Sequence, residues 1–259
     1  MGLLAWVAAS AAALASSPDP AGLSQGWSGW ATAMAAARYP FAFSASDFAT
    51  LARGQVVRRR VPAAGADRAV GAWWTATPRD ALWIAILDDK HDKVVSGLIE
   101  QQLPGTTSTR KLLYQHLDLP WPATDRHWVA DIQNNAALVK ATAGGVWERT
   151  WTLASPDLAV AAGAVVPGEA IWMPELDGGW TLAEVAGGTL LVYHVRTVIG
   201  GSIPEDLVAR WSLSTLDEML RHIDARAQEM GGHYDAKHEP VLRPDGTAIQ
   251  VSGLYTIHH

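Results

Sequence analysis

An α+β fold, in which a curved antiparallel sheet is covered by one long C-terminal helix, follows from three observations. Residues 94–103, 110–117, 126–133, 146–153, 171–180 and beyond, and 189–198 are strand-like. Pro104-Gly105, Gly144-Gly145, Asp177-Gly178-Gly179 and Gly187-Gly188 separate them as turn signals. Consecutive strands joined by short turns pair antiparallel. Next, Pro204 opens a helical pattern that runs to about Met230, with Leu207, Val208, Trp211, Leu216, Met219, Leu220, Ile223 and Ala227 on one face. Finally, Pro120-Trp121-Pro122 locks the backbone extended and then turned, so the following Arg126-His127-Trp128-Val129 run leaves a rigid loop as a strand.

The elements before that series are shorter. Residues 22–37 are predicted helical, with Trp27, Trp30, Ala31 and Met34 at helical spacing and Tyr39-Pro40 as the stop. Ser46-Asp47 is expected to cap a helix over 48–53, closed by Gly54. Residues 55–61 read as a solvated edge strand, its consecutive Arg58, Arg59 and Arg60 alternating between faces. Residues 70–75 form the next strand. Thr77-Pro78-Arg79-Asp80 is a helix start, with a cap residue, a proline at the first helical position and an acid in the first turn. That helix continues to Leu87 and directs Leu82, Trp83 and Ile86 to the core. Beyond Gly231 the chain is polar, with one further strand expected over 248–257.

Composition narrows the function. Of 259 residues 49% are hydrophobic, enough for a sizeable core, and 18% are charged, too few for a disordered chain. A formal net charge of −6 gives no general attraction to nucleic acid or to anionic lipid surfaces. The absence of cysteine excludes disulfides, thiolate catalysis and cysteine-based zinc sites. Thirteen Trp against three Phe suit a roomy interior of mixed polarity, although any one Trp serves equally as core filler. Residues 1–15 are apolar, Ala-rich and end in Ala13-Leu14-Ala15, as a secretory signal peptide does. The expected organisation is a signal peptide over 1–15, a linker and helix over 16–45, the main domain over 46–230 and a polar tail over 231–259. The mature protein is expected outside the cytoplasm, periplasmic or extracellular.

The Pro120-Trp121-Pro122 loop with Arg126, followed by Gly200-Gly201-Ser202-Ile203-Pro204 at the start of the long helix, resembles the signature of START-type lipid-binding domains. These belong to the helix-grip (SRPBCC, Bet v 1-like) superfamily. His127 stands where that family usually carries Asp. Gly179-Trp180 and Tyr193 also look like family positions, and the likeness spans roughly residues 46–230. It implies the helix-grip fold and a tunnel holding a lipid or other hydrophobic small molecule. It also implies that Gln115 and Ile132 stand near the positions where some sterol-binding relatives keep a buried acid–arginine pair, so this chain lacks that pair.

Strand alternation anchored at Arg126 nominates the cavity wall. Arg126, Trp128, Ala130 and Ile132 share one face, with Val129 and Asp131 on the other. Trp147, Arg149, Trp151 and Leu153 share a face, as do Leu112, Tyr114 and His116. The expected ligand-binding residues are Tyr114, Trp128, Arg149, Trp151 and Trp180 from the sheet, with Leu216, Met219 and Leu220 from the helix. Arg149 amid tryptophans suits the polar or anionic head of an amphiphile, and a one-residue slip in register would turn it to an outer face instead.

No cofactor, metal or nucleic acid is expected as a partner, and transient membrane contact is compatible with lipid loading. Two other functions stay open. One is a cyclase- or hydrolase-type enzyme in the same cavity, with His91, His116, His194 and Glu184 as acid–base candidates, none in a motif of defined geometry. The other is a closed pocket serving as an interaction module. The chain has no Gly-x-Ser-x-Gly, no His-Glu-x-x-His and no phosphate-cradling loop. His233, Asp235, His238 and Glu239 could ligate a metal, but Lys237 lies among them and a solvated tail explains them as well.

Overall fold

The computed structural model describes residues 18–88, 97–107, 109–120, 123–161, 169–201, 205–229 and 240–250, with the backbone alone for 205–209. The expected signal peptide, Asp89, His91, Trp121, Pro122, Ser202-Ile203-Pro204, the side chains of Leu207 and Val208, Met230, the histidine-bearing tail and residues 251–259 lie outside the described residues.

Among the described residues nine strands form one sheet: β1 (Val57–Val61), β2 (Arg68–Thr75), β3 (Leu98–Gln102), β4 (Arg110–Leu117), β5 (Arg126–Asn134), β6 (Val146–Leu153), β7 (Ile171–Trp172), β8 (Glu175–Val185) and β9 (Gly188–Val198). The order is β1-β2-β9-β8-β6-β5-β4-β3, every neighbouring pair is antiparallel, and the two-residue β7 pairs with β5 in parallel. Around it lie α1 (Pro20–Trp30), α2 (Ala45–Ala52), α3 (Arg79–Leu87), α4 (Ala136–Ala141), α5 (Pro156–Ala161) and α6 (Glu205–Glu229). This is the helix-grip arrangement: a long C-terminal helix on the inner face of an antiparallel sheet.

Both faces of the sheet carry a core. On the inner face α3 and α6 pack Trp83, Ile84, Leu220, Ile223 and Ala227 against Trp147, Trp180, Leu182 and Leu191. Asp224 fixes α6 in place, accepting hydrogen bonds from the hydroxyls of Thr75 (2.9 Å) and Thr77 (2.6 Å) and from the indole of Trp73 (3.3 Å). On the outer face Leu23 and Trp27 of α1 and Phe48 and Leu51 of α2 pack on Val70, Ala72, Ala183 and Val192. Residues 18–45 are therefore part of the packed body.

Local chemistry explains where the elements depart from the sequence reading. The helix expected over 22–37 ends at Trp30 and resumes as a 3-10 turn over Ala33–Ala36. Ser44, not Ser46, caps α2, because Asp47 three residues on completes a reciprocal capping box with it. Thr77 does not cap α3; its hydroxyl goes to Asp224, and Pro78 takes the cap position without a side-chain bond. Asp177-Gly178-Gly179 is not a turn but the interior of β8. A Cβ on Gly178 would overlap the Trp151 ring, so the glycine makes room for that indole. The segment read as one strand from 171 breaks at Met173-Pro174 into β7 and β8. Two short helices, α4 and α5, went unread. The strand expected from 248 is represented, among the described residues, by a single bridge between Leu242 and Ala248. The β1 arginines are paired as well as solvated: Arg59 with Asp47, Arg60 with Asp67 and Arg58 with Asp217.

The outer face also buries polar groups. His194 is 3% exposed and stacks on Tyr39 at 4.6 Å, with its Nδ1 2.8 Å from an Arg68 guanidinium nitrogen. Burial, aided by the Arg68 charge, pushes the His194 pKa down to about 3. Glu148 is fully buried and accepts from the backbone N–H of Arg38 (2.9 Å) and the side-chain amide of Asn135 (2.6 Å).

Two outcomes follow from this packing. Leu220→Asp places a charge in the inner core and should lower stability by about 3 kcal/mol or more; a melting temperature equal to wild type would contradict the packing. His194 is held neutral in the fold, whereas an unfolded histidine protonates near pH 6.5. Its contribution is complete above pH 6.5 and is lost as pH falls from there toward 3, because the unfolded chain then binds the extra proton. Urea titrations of wild type and His194→Gln from pH 7 to pH 4 should show a shallower acid loss in the variant. Identical slopes would mean that His194 protonates freely in the native state.

Candidate functional site

The inner surface is set by strand pairing. Gln115 of β4 lies opposite Trp128 of β5, Ile132 of β5 opposite Trp151 of β6, and Arg149 of β6 opposite Trp180 of β8. Opposite residues in an antiparallel pair project to the same side, so these side chains share one wall. The helix does not rest evenly on it. Leu216 and Leu220 seat α6 on Gly71 of β2, where a Cβ would come 3.3 Å from Leu216 and 3.0 Å from Leu220. That close approach pins α6 to the β2 side and leaves it standing off β4, β5 and β6.

The space left is a cavity of about 290 Å³. Trp128, Trp151, Trp180 and Tyr193 form aromatic walls, Ala130 widens the floor, and Trp211, Thr215 and Met219 of α6 form the roof. The Trp180 and Tyr193 rings lie 4.5 Å apart, and Trp151 lies 5.7 Å from Tyr193. The Trp128 indole donates to Gln115 Oε1 at 2.7 Å, and the Gln115 amide in turn donates to Glu100. Arg149 is 7% exposed and donates to Asn134 Oδ1 at 2.9 Å. Burial lowers its pKa to about 10, so it stays charged at neutral pH.

Of the eight residues expected in the site, Trp128, Trp151, Arg149, Trp180 and Met219 line the cavity. Three do not. Tyr114 lies on the opposite side of the sheet, among Leu103, Leu112, Val129 and Ala159. The cause is register: Tyr114 pairs with Val129, which faces away from Trp128, so Leu113, Gln115 and Leu117 face inward instead. Leu216 and Leu220 are fully packed against the sheet rather than exposed to the cavity, because the contact with Gly71 consumes that stripe of the helix. Unread were Glu100, whose inward position depends on the pairing of an edge strand, and Ile86 at the end of α3. Gln115 and Ile132, placed at the acid–arginine positions by resemblance, both line the cavity. His116 and His194 are on the outer face and Glu184 is largely exposed near the β8–β9 turn, so none of these acid–base candidates reaches the cavity.

Beside the site, Arg126 ties the start of β5 to the residues after β9. It is 2% exposed, and its guanidinium donates to the carbonyls of Ile199 and Gly200, each at 2.8 Å, and of Thr124. Gly200 and Gly201 have φ of 70° and 72°, the left-handed region that favours glycine. A Cβ on Gly201 would lie 2.7 Å from the guanidinium. The Arg126 loop and the Gly-Gly turn are thus two halves of one lock, which joins the start of β5 to the chain leading into α6.

Neither a protein-family model nor a curated protein matches this sequence. Solved structures do match in shape. A STAR-related lipid transfer protein fragment from Xanthomonas axonopodis aligns at 20% identity and a TM-score of 0.53 over 66% of this chain and 92% of its own. Human STARD10 aligns at 12% identity and a TM-score of 0.55 over 81% of this chain and 89% of its own. Human StAR-related lipid transfer protein 5 aligns at 13% identity and a TM-score of 0.50 over 68% and 82%. The chain therefore has the START-type helix-grip fold of the STAR-related lipid transfer domains.

Proposed function

We propose that this protein binds, and transfers, a lipid or other hydrophobic small molecule in the cavity between the sheet and α6. The observation that carries this reading is the cavity itself, about 290 Å³ walled by three tryptophans and roofed by Met219. A concave, mainly apolar space with few polar groups is the form small-molecule sites take. Each methylene buried there contributes about 0.8 kcal/mol before ordering costs, so a modest tail supports micromolar binding. Trp211 lines the cavity and is 47% exposed, giving an apolar edge suited to transient membrane contact during loading. The fold of the STAR-related lipid transfer domains is consistent with this reading.

Solvent extraction of the purified full chain followed by mass spectrometry should release an apolar compound. Met219→Trp, which fills the roof, should come through purification empty with its melting temperature within a few degrees of wild type. A wild-type protein that is empty, and that also fails to take up a neutral fluorescent hydrophobic probe, would overturn the proposal.

We also propose export, on the apolar Ala-rich segment ending in Ala13-Leu14-Ala15. N-terminal sequencing of protein from the extracytoplasmic fraction should begin near Ser16. Cytoplasmic protein that retains Met1 would refute this.

A further inference from the structure

The cavity is electrically lopsided. Its charged lining includes Arg149 on β6 and Glu100 on the edge strand β3. Register places them far apart. Glu100 is level with Gln115 and hence with Trp128, whereas Arg149 is level with Asn134, six residues further along β5. At about 3.3 Å per residue, that is roughly 20 Å along the strand direction. Glu100 accepts from the Gln115 amide. Among the described residues Arg149 has the neutral carbonyl of Asn134 as its hydrogen-bond partner and no carboxylate. Lys111 is also buried, on the inward side of β4, and the Arg149 charge adds to burial in lowering its pKa to about 8, while Asp88 opposes the shift. The Arg149 guanidinium is therefore a buried charge with no carboxylate partner among the described residues, a setting in which an anion gains most.

We propose that the ligand is a single-chain amphiphile with an anionic head, seated so that the head meets Arg149 and the chain runs along the tryptophan wall toward Glu100. This rests on the hydrophobic-ligand reading above and narrows its class. Volume favours one chain over two, since about 290 Å³ lies at the lower bound for small-molecule pockets. Orientation follows from charge: Glu100 repels an anion at one end, and a guanidinium at the other offers a planar fork to two oxygens. A carboxylate and a phosphate monoester share this chemistry.

The test uses three probes with the same fluorescent polyene chain: the free acid, its methyl ester and the alkyl phosphate. Each is titrated at pH 7 into the full-length wild type, Arg149→Met and Arg149→Lys. In wild type, at least one of the two anions should bind ten-fold or more tightly than the ester, and whichever does identifies the head. Arg149→Met should abolish that preference while changing ester affinity less than about three-fold, and Arg149→Lys should retain part of it. The comparison within wild type holds even if a variant fails to fold. Ester binding equal to that of both anions would overturn the anionic head and leave the hydrophobic cavity standing. An anion preference that survives in a folded Arg149→Met would remove Arg149 from the site. No binding of any probe would overturn both readings.

Discussion

Arg126 is the constraint on which the functional geometry depends. A guanidinium 2% exposed, with backbone carbonyls as its partners, holds the β5 entrance loop against the residues that follow β9. Those carbonyls come from a stretch that the sheet leaves unpaired, so Arg126 satisfies acceptors that burial would otherwise strand. The left-handed turn at Gly200 and Gly201 is shaped to admit the arginine, and the chain leaves that turn toward α6. One side chain thus joins the start of β5 to the turn that follows β9. Lysine could not replace it, because three different guanidinium nitrogens reach the carbonyls of Thr124, Ile199 and Gly200, and an ammonium has only one nitrogen.

Given that lock, the cavity is a consequence of asymmetric helix packing. Gly71 draws α6 onto β2 through Leu216 and Leu220, and Asp224 fixes the helix against Thr75 and Thr77. Both contacts lie on the same flank of the sheet. The opposite flank, β4 to β6, curves away from the helix, and the space is lined by indoles too large to collapse into it. Gly178 lets Trp151 lie flat over β8 instead of projecting inward. Two glycines on the inner face therefore act in opposite senses, one bringing the roof down and the other keeping the wall back.

The fold was legible because its signals are local and strong: turn dipeptides between alternating strands, then a long amphipathic stripe. The Arg126 lock was legible as two motifs, although nothing in one dimension says that they touch. The cavity wall was legible where alternation could be anchored, as on β5 and β6, which gave Trp128, Arg149 and Trp151. It failed at Tyr114, because the facing side of β4 is set by its register with β5, a property of two strands that neither carries alone. It failed again at Leu216 and Leu220, since an apolar stripe has the same spacing whether it meets a sheet or a void. Thr77 illustrates a third cause: a sound local capping signal was overridden by a tertiary partner, Asp224, 147 residues away.

An open cavity has to be offset elsewhere in the molecule. Side chains that line an open space lack packing partners on that side, a loss the rest of the fold has to make up. The second core on the outer face is what makes this tolerable. Leu23, Trp27, Met34, Phe48 and Leu51 give the sheet a packed layer that contributes nothing to the cavity. Buried polar groups on that side, Glu148 tied to the backbone of Arg38 and His194 held between Tyr39 and Arg68, fix the N-terminal segment in one position. The outer face is thus packed throughout, whereas the inner face divides into a packed flank under α3 and α6 and the open space beside it. A bound ligand would then stabilise the fold twice, by occupying the void and by answering the charge of Arg149.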